Sequence, residues 1–358
     1  MSFSYGMIIL IPWVLCLLGD LSHIGKVYSG YFHEINLLLL FLFLIMVLNL
    51  KNAGLAIETP VFPGTLFFNT FFLILLLLDF SRHPQDLNAA LVGYAIGSMV
   101  IPILYFAGIG VEIDDSGRLV FLGNNSNVFG VRICFAIGII LQLFIIQDYY
   151  RLKENKIRFV IPIILLVAVL FASGSRTAFL CLLLVFASTV FSYRGKGKNR
   201  IVVWGIIAAF AMFLFLRGTV LFDRLLDSAT TGDTSGRDLI WAALLPKCLE
   251  NPVFGVGMTG YDTLTMEATG KLTNPHNVFL EIFAYSGYVG LSIYFIFWLI
   301  ILIRGMKLRS YHLYLPLILF LPILVNLFCG HVIETKISYI AYAYCLFVYK
   351  NRESFSNI

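Results

Sequence analysis

The stretch Asn274-Pro275-His276-Asn277, followed by the apolar run from Val278 to Ile303, decides the fold. The run holds a single charged residue, Glu281, and it exceeds the ~20 residues that a helix needs to cross a bilayer. A polar, glycine-dotted segment ends where the run begins. Pro275 suits the first helical position, because the amide it lacks would have no partner there. Asn274 is then expected to cap the helix, which puts His276 in the first turn. At that place the positive end of the helix dipole favours a neutral imidazole, the form a general base needs. The competing reading is a wet histidine at a membrane interface.

Composition extends the membrane reading to the whole chain. Of 358 residues, 59% are hydrophobic and 13% charged, with a mean hydropathy of +0.90. A soluble domain carries about 25% charged residues. Apolar runs follow one another at 5–22, 35–50, 65–80, 88–109, 128–147, 158–173, 177–193, 201–217, 277–303, 313–330 and 336–349. This pattern predicts an all-α, polytopic transmembrane bundle of about 11 helices, within a range of about 10–12. Residues 1–358 then form a single integral membrane domain. The net charge of +5 is no nucleic-acid signal, because the basic residues sit in short loops between spans. Met7–Leu18 has neither a basic leader nor a small-residue cleavage site and is not read as a signal peptide. Cys16, Cys134, Cys181, Cys329 and Cys345 fall inside apolar runs and Cys248 in a loop. With no C-x-x-C spacing, neither a disulfide framework nor a zinc site is expected.

Loop charge sets the orientation. Arg151, Lys153, Lys156 and Arg158 share one short loop, and Arg194, Lys196, Lys198 and Arg200 another. Arg304, Lys307 and Arg309 form a third cluster, and Lys350 and Arg352 lie at the C-terminus. An even number of spans separates each pair of neighbouring clusters, so the positive-inside rule puts all four in the cytoplasm. Residues 174–176, 218–276 and 331–335 must then face outward, as does the N-terminus if eleven spans are counted.

The long outward loop, 218–276, contains Asp223, Arg224, Asp227 and the run Thr-Gly-Asp-Thr-Ser-Gly-Arg at 231–237. A short helix is expected from about Arg237 to Glu250, stopped by Asn251-Pro252. Its apolar run, 239–245, is too short to span and carries an interfacial Trp241, so it should lie on or dip into the outer surface. Gly255, Gly257 and Gly260 make a flexible or tightly turning link to His276.

On this outward side the chain departs from its own charge rule. Arg176 opens a membrane helix, where a cation opposes the dipole by ~0.3–1 kcal/mol. Arg217 ends another helix, and Arg224, Arg237, Lys247 and Lys271 lie in the long loop. The bland alternatives are an Arg176 that reaches up to lipid phosphate and an Arg237 paired with Asp233 or Asp238. Yet arginine offers a planar, permanently charged fork for phosphate oxygens, and a neutral histidine offers a base. Together they suggest transfer of a group from a diphosphate carrier to an acceptor hydroxyl. ATP is absent outside the membrane, so the donor must be membrane-borne, as a polyprenyl-diphosphate glycan is.

The same residues carry a family resemblance. Arg176 to Leu180 matches R-x-x-x-L, and His276-Asn277, followed after nine residues by Gly287 and then by Gly290, matches H-[NSQ]-x(9)-G-x-x-[GTY]. Ser235-Gly236-Arg237, Trp241 and Asn251-Pro252-x-x-Gly255-x-Gly257 resemble the segment that precedes that histidine. The chain resembles the O-antigen ligase and polymerase superfamily of membrane glycosyltransferases, specifically over about 171–303 and elsewhere in topology only. The resemblance implies a GT-C-like bundle in the bacterial inner membrane with a periplasmic site. It implies an inverting transferase that needs no metal or cofactor. The donor would be an undecaprenyl-diphosphate-linked glycan, and the acceptor lipid A–core or another glycan, in lipopolysaccharide or surface-polysaccharide synthesis. Carried onto this chain, His276 would be the catalytic base, and Arg176 and Arg237 would hold the diphosphate. Arg217 competes with either arginine for that role.

Other polar residues receive plainer readings. Asn277 either bonds the acceptor or extends the helix cap, with the cap preferred. Glu281 lies about 140° around a helix from His276, which does not suit an orienting partner. Ala284, Gly287 and Gly290 read as small residues for close helix packing. Glu334 and Lys336 read as an ion pair, and Asp114-Asp115 as a solvated pair. A polymerase shares these motifs with a ligase. A flippase for the same lipid-linked glycan would show broken helices and mid-membrane charges, and the spans lack such charges.

Overall fold

The computed structural model describes residues 14, 19, 21–57, 61–113, 119–123, 125–142, 160–192, 219–232, 234, 236–330, 333 and 335–356. The expected span at 201–217, most of that at 5–22, and the basic loops 151–158 and 194–200 lie outside those residues. So do Arg217, Asp114-Asp115, Asp233, Ser235 and Glu334.

The described chain is an all-α membrane bundle. Four of its helices are long and apolar enough to cross a membrane: Phe32–Lys51, Gly64–Arg82, Leu87–Phe106 and Val278–Tyr311. In chain order the helices are α1 (Leu21–Gly30), α2 (Phe32–Lys51), α3 (Gly64–Arg82), α4 (Asp86–Ser98), α5 (Val100–Phe106), α6 (Ser126–Ile139), α7 (Val160–Ala172) and α8 (Arg176–Ser192). They continue with α9 (Val220–Thr231), α10 (Arg237–Cys248), α11 (Tyr261–Thr269), α12 (Val278–Leu308), α13 (Leu315–Cys329), α14 (Lys336–Lys350) and α15 (Arg352–Ser356). A small antiparallel hairpin of β1 (Val111–Ile113) and β2 (Leu119–Phe121) joins α5 to α6, with Val111 opposite Phe121.

The expected span at 88–109 is one apolar helical stretch, Leu87–Phe106, with a turn at Met99 between α4 and α5. Pro102 has no amide to give, and its ring crowds the carbonyl of Ser98 one turn back. Three other features differ from the sequence reading, each for a local reason. Residues 21–30, which fall largely between the expected spans at 5–22 and 35–50, form α1, which buries Val27 and Tyr31 beside it. The long loop, 218–276, holds three helices among its described residues, α9, α10 and α11, rather than one. Finally, α12 is broken at Gly287, whose backbone sits at φ 58°, ψ −159°.

That break organises the site. Gly287 lies nine residues into α12, about 14 Å along its axis, at a depth where irregular backbone survives only when other protein groups take its hydrogen bonds. The segment 252–257 takes them. Tyr288 N–H donates to Pro252 O (2.8 Å) and Val289 N–H to Val253 O (3.2 Å). On the other side of the break, Ala284 O accepts from Val256 N–H (2.9 Å) and Tyr285 O from Gly257 N–H (2.8 Å). Of the two readings of the link, the tightly turning one is what the backbone shows, and Gly287 serves a close crossing with segment 252–257. A Cβ on Gly255 would stand 2.7 Å from Ser286 N, and one on Gly287 would overlap the Val253 backbone.

Contacts at the helix ends fix which termini share a side. At one side, Glu34 in the first turn of α2 pairs with Arg304 near the end of α12. There Lys350 lies over the Tyr31 ring at 4.7 Å, Arg352 over Tyr349 at 5.0 Å, and Phe80 of α3 meets Phe347 of α14 at 5.9 Å. At the other side, Asn49 in the last turn of α2 accepts from Met258 N–H (2.7 Å), and Phe279 in the first turn of α12 meets Phe328 in the last turn of α13 (5.1 Å). Asn127 and Ser175, at the starts of α6 and α8, bond each other at 2.6 Å. The described basic residues Arg304, Lys307, Arg309, Lys350 and Arg352 thus gather opposite His276 and Arg176, the alternation that loop charge predicts. Lys271→Cys and Ser310→Cys, both at exposed positions, should react with a membrane-impermeant thiol reagent from opposite sides of sealed vesicles. Labelling of both from one side would overturn the topology.

Candidate functional site

The site begins with the backbone of residues 273–277. Asn277, not Asn274, is the N-cap of α12. Its side chain accepts from Phe279 N–H (3.0 Å) and Leu280 N–H (3.2 Å), and the helix starts at Val278. His276 is therefore not in the first turn but just ahead of the cap, in the left-handed region at φ 50°. Such a conformation costs a non-glycine residue ~1–2 kcal/mol and persists only where neighbours enforce it. The expected Asn274 cap is instead an Asx turn, in which Asn274 Oδ1 accepts His276 N–H at 2.7 Å. Sequence spacing favoured the Pro275 start because proline fits a first helical turn, but the side chain of Asn277 satisfies two helix amides and wins. Asn277→Ala should lower stability by about 1 kcal/mol, measured by thermal unfolding, and a fall of Tm is the sign to look for.

Three helices hold this loop. From α10, Trp241 Nε1–H donates to Pro275 O at 2.7 Å, so the indole expected at the lipid interface faces the histidine loop instead. From α11, Tyr261 O–H donates to Thr273 O at 3.3 Å, and its ring stands edge-on to Tyr285 at 4.9 Å. Burial, with the nearby Glu281 carboxyl next, pushes the Tyr261 hydroxyl well above its ordinary pKa. From α12 comes Glu281, fully buried, whose Oε1 accepts from Tyr285 O–H (2.8 Å) and Asn274 Nδ2–H (3.2 Å). The helical-wheel argument against Glu281 fails because His276 lies off the helix, where the loop folds back over the first turns of α12.

The arginines occupy two parts of this face. Arg237 opens α10 one turn before Trp241, on the same helix face, which brings it to the side of α10 that meets the His276 loop. Its neighbour Asp238 accepts from the Thr234 hydroxyl, which holds the Asp238 carboxyl below its usual range. Arg176 opens α8, capped by Ser175, whose hydroxyl accepts from Ala178 N–H (3.1 Å). Arg176 Nη1–H donates to Arg224 O at 3.1 Å, and Arg224 Nη1–H donates to Gly174 O at 2.9 Å. These two bonds tie α9 to the α7–α8 turn. Arg176 lies on the helix that packs against α13, which in turn packs against α12, whereas Trp241 meets the His276 loop at Pro275. Arg217 lies outside the described residues.

Sequence reading missed Arg224, Glu281, Tyr285 and Asn49 as parts of this framework. Asn49 Oδ1 accepts from Met258 and Thr259 N–H, while its Nδ2 donates to Val61 O. A lone polar residue in the last turn of an apolar span was the available signal. Lys247 pairs with Glu250 (3.0 Å) and Glu267 (3.4 Å), joining α10 to α11. These partners, Glu250 first, raise its pKa. Burial pushes the Cys248 thiol up to about 11, which suits packing and not nucleophilic attack.

Residues 161–295 match the family model described as O-antigen ligase. The matched segment runs from α7 past the Gly287 break and includes Arg176, Arg237, His276 and Gly290, and it supports the O-antigen ligase superfamily. No curated protein gives a match to the sequence.

Proposed function

We propose, with an O-antigen ligase or polymerase type of membrane enzyme as the premise, that the chain is an inverting, metal-independent glycosyltransferase at the periplasmic face of the bacterial inner membrane. Its donor is a glycan on undecaprenyl diphosphate and its acceptor is the hydroxyl of a lipid A–core. Basic residues at the opposite ends of the helices support a cytoplasmic C-terminus.

In this reading His276 takes the proton from the acceptor hydroxyl as its oxygen attacks the anomeric carbon. The new glycosidic bond forms on the face opposite the leaving group, the carbon–oxygen bond to the diphosphate breaks, and undecaprenyl diphosphate departs with the electron pair. Arg176 and Arg237 hold the diphosphate and stabilise its growing charge, with Arg217 as the competing ligand. A diphosphate leaves readily, so no paired carboxylates are needed. The observation that carries the proposal is the built loop at His276. A non-glycine residue is held in the left-handed region by contacts from three helices, one of which carries Arg237. Strain that the surroundings enforce in this way is characteristic of functional positions.

A broken membrane helix is also a feature of transporters, where the freed backbone groups bind ions or substrate. In α12 the groups freed at Gly287 bond to residues 252–257 of the same chain. The break therefore supports a fixed site and not a flippase. The test between ligase and polymerase gives the purified protein a labelled lipid-linked glycan with either lipid A–core or more lipid-linked glycan. A ligase yields one discrete glycosylated lipid A product, whereas a ladder of lengthening lipid-linked glycans identifies a polymerase.

A further inference from the structure

We infer that Glu281 is a positioning residue that sets His276 through Asn274, by accepting a hydrogen bond and not by its charge. The inference rests on the catalytic reading of His276. Asn274 has two ends, and their assignment decides what the histidine does. Its Oδ1 accepts the His276 N–H at 2.7 Å and closes the turn that puts His276 at φ 50°. Its Nδ2 donates to Glu281 Oε1 at 3.2 Å. A carboxylate oxygen with two donors aimed at it favours the amide's nitrogen over its oxygen. Glu281 thus holds the Asn274 amide with its oxygen toward His276. Tyr285, one turn further along α12, donates to the same oxygen at 2.8 Å and keeps the carboxyl from turning away.

The arrangement couples the histidine to the rigid part of α12. Glu281 is completely buried, and Ile282 and Ala284 beside it are buried as well. The residue therefore cannot follow the loop if the loop moves. A side chain that accepts a hydrogen bond at this place keeps the turn, and an apolar one of similar size frees the amide to rotate and His276 to relax out of the left-handed region. Misplacing a general base affects the chemical step, whereas donor binding by the arginines is left in place.

The experiment compares Glu281→Gln, Glu281→Leu and Asn274→Ala in the full chain in lipid nanodiscs, with two readouts. The first is the rate at which diethyl pyrocarbonate modifies His276, read by mass spectrometry on its peptide. The second is kcat and donor KM, with undecaprenyl-diphosphate-linked glycan extracted from cells that make the protein. Glu281→Leu should lose about 100-fold in kcat with little change in KM, because small misplacements of a catalytic group have effects of that order. Its His276 should be modified several-fold faster. Glu281→Gln should behave like the parent in both readouts, since its amide oxygen still accepts. If Glu281→Leu does not insert, Asn274→Ala carries the test, because it cuts the same link without touching the buried core. Parent-like labelling and kcat in Asn274→Ala, or a Glu281→Gln protein as impaired as Glu281→Leu, would overturn the inference. If the parent itself transfers no glycan, the labelling pattern still decides the positioning role, and only the enzymatic reading is lost.

Discussion

Replacing His276 with alanine should lower glycan transfer by ~10²–10⁴-fold in a protein that still inserts and binds donor, which is the range lost with a general base. The residue is half-buried, and three hydrogen bonds that hold its loop use backbone groups of Thr273, Pro275 and His276 itself. Alanine can keep those backbone contacts, so lost transfer in a variant that unfolds at the parent's Tm reports chemistry. Arg176→Ala should also abolish transfer, but with a different kinetic signature: a rise in donor KM accompanies the fall in kcat, because the arginine holds the diphosphate in the ground state as well. Arg176→Lys should not restore activity, since an ammonium lacks the planar fork. The measurement is steady-state transfer in nanodiscs with matched protein amounts, and a His276→Ala protein at near-parent rates would remove the histidine from the mechanism.

The second large effect is on the fold. Gly287→Ala should be among the most damaging single-methyl changes in the chain, costing on the order of 3–5 kcal/mol. Two causes add. The backbone at φ 58°, ψ −159° belongs to a region that only glycine enters freely. The added Cβ would also overlap the Val253 carbonyl carbon and oxygen, which are backbone atoms with no rotamer to yield. Segment 252–257 would have to lift from the break, which would leave the amides of Tyr288 and Val289 and the carbonyls of Ala284 and Tyr285 without partners at membrane depth. Gly305→Ala, on the same helix, is the useful contrast. Its new methyl would stand 3.7 Å from Cys345 Sγ and from Leu317 Cδ1, ordinary van der Waals contact. Detergent-solubilised yield and thermal unfolding should fall sharply for Gly287→Ala and change little for Gly305→Ala. Equal stability of the two would show that the break is not essential.

Much of the architecture was legible because membrane helices announce themselves by length and apolar content. Loop charge then predicted which ends lie together, and the pairing of Glu34 with Arg304 and of Asn49 with Met258 follows the same alternation. The R-x-x-x-L and H-N-x(9)-G patterns led to the segment that the O-antigen ligase family model matches. What was not legible depends on hydrogen bonds between residues far apart in sequence. Helix rules place a start at Pro275, but they weigh local propensity and not the two amides that Asn277 satisfies. The spacing of Gly255, Gly257 and Gly287 has no meaning until one segment is laid across the other. Glu281 looked misplaced because its angle to His276 was measured on a helix that His276 never joins.

The most direct measurement follows free undecaprenyl diphosphate. The purified protein is given undecaprenyl-diphosphate-linked glycan and lipid A–core with a metal chelator present, and released lipid diphosphate is counted against glycosylated acceptor. One undecaprenyl diphosphate should appear per glycosidic bond, only when acceptor is present and only with His276 intact. Release without acceptor, release unaffected by His276→Ala, or no release from the parent protein would contradict the account.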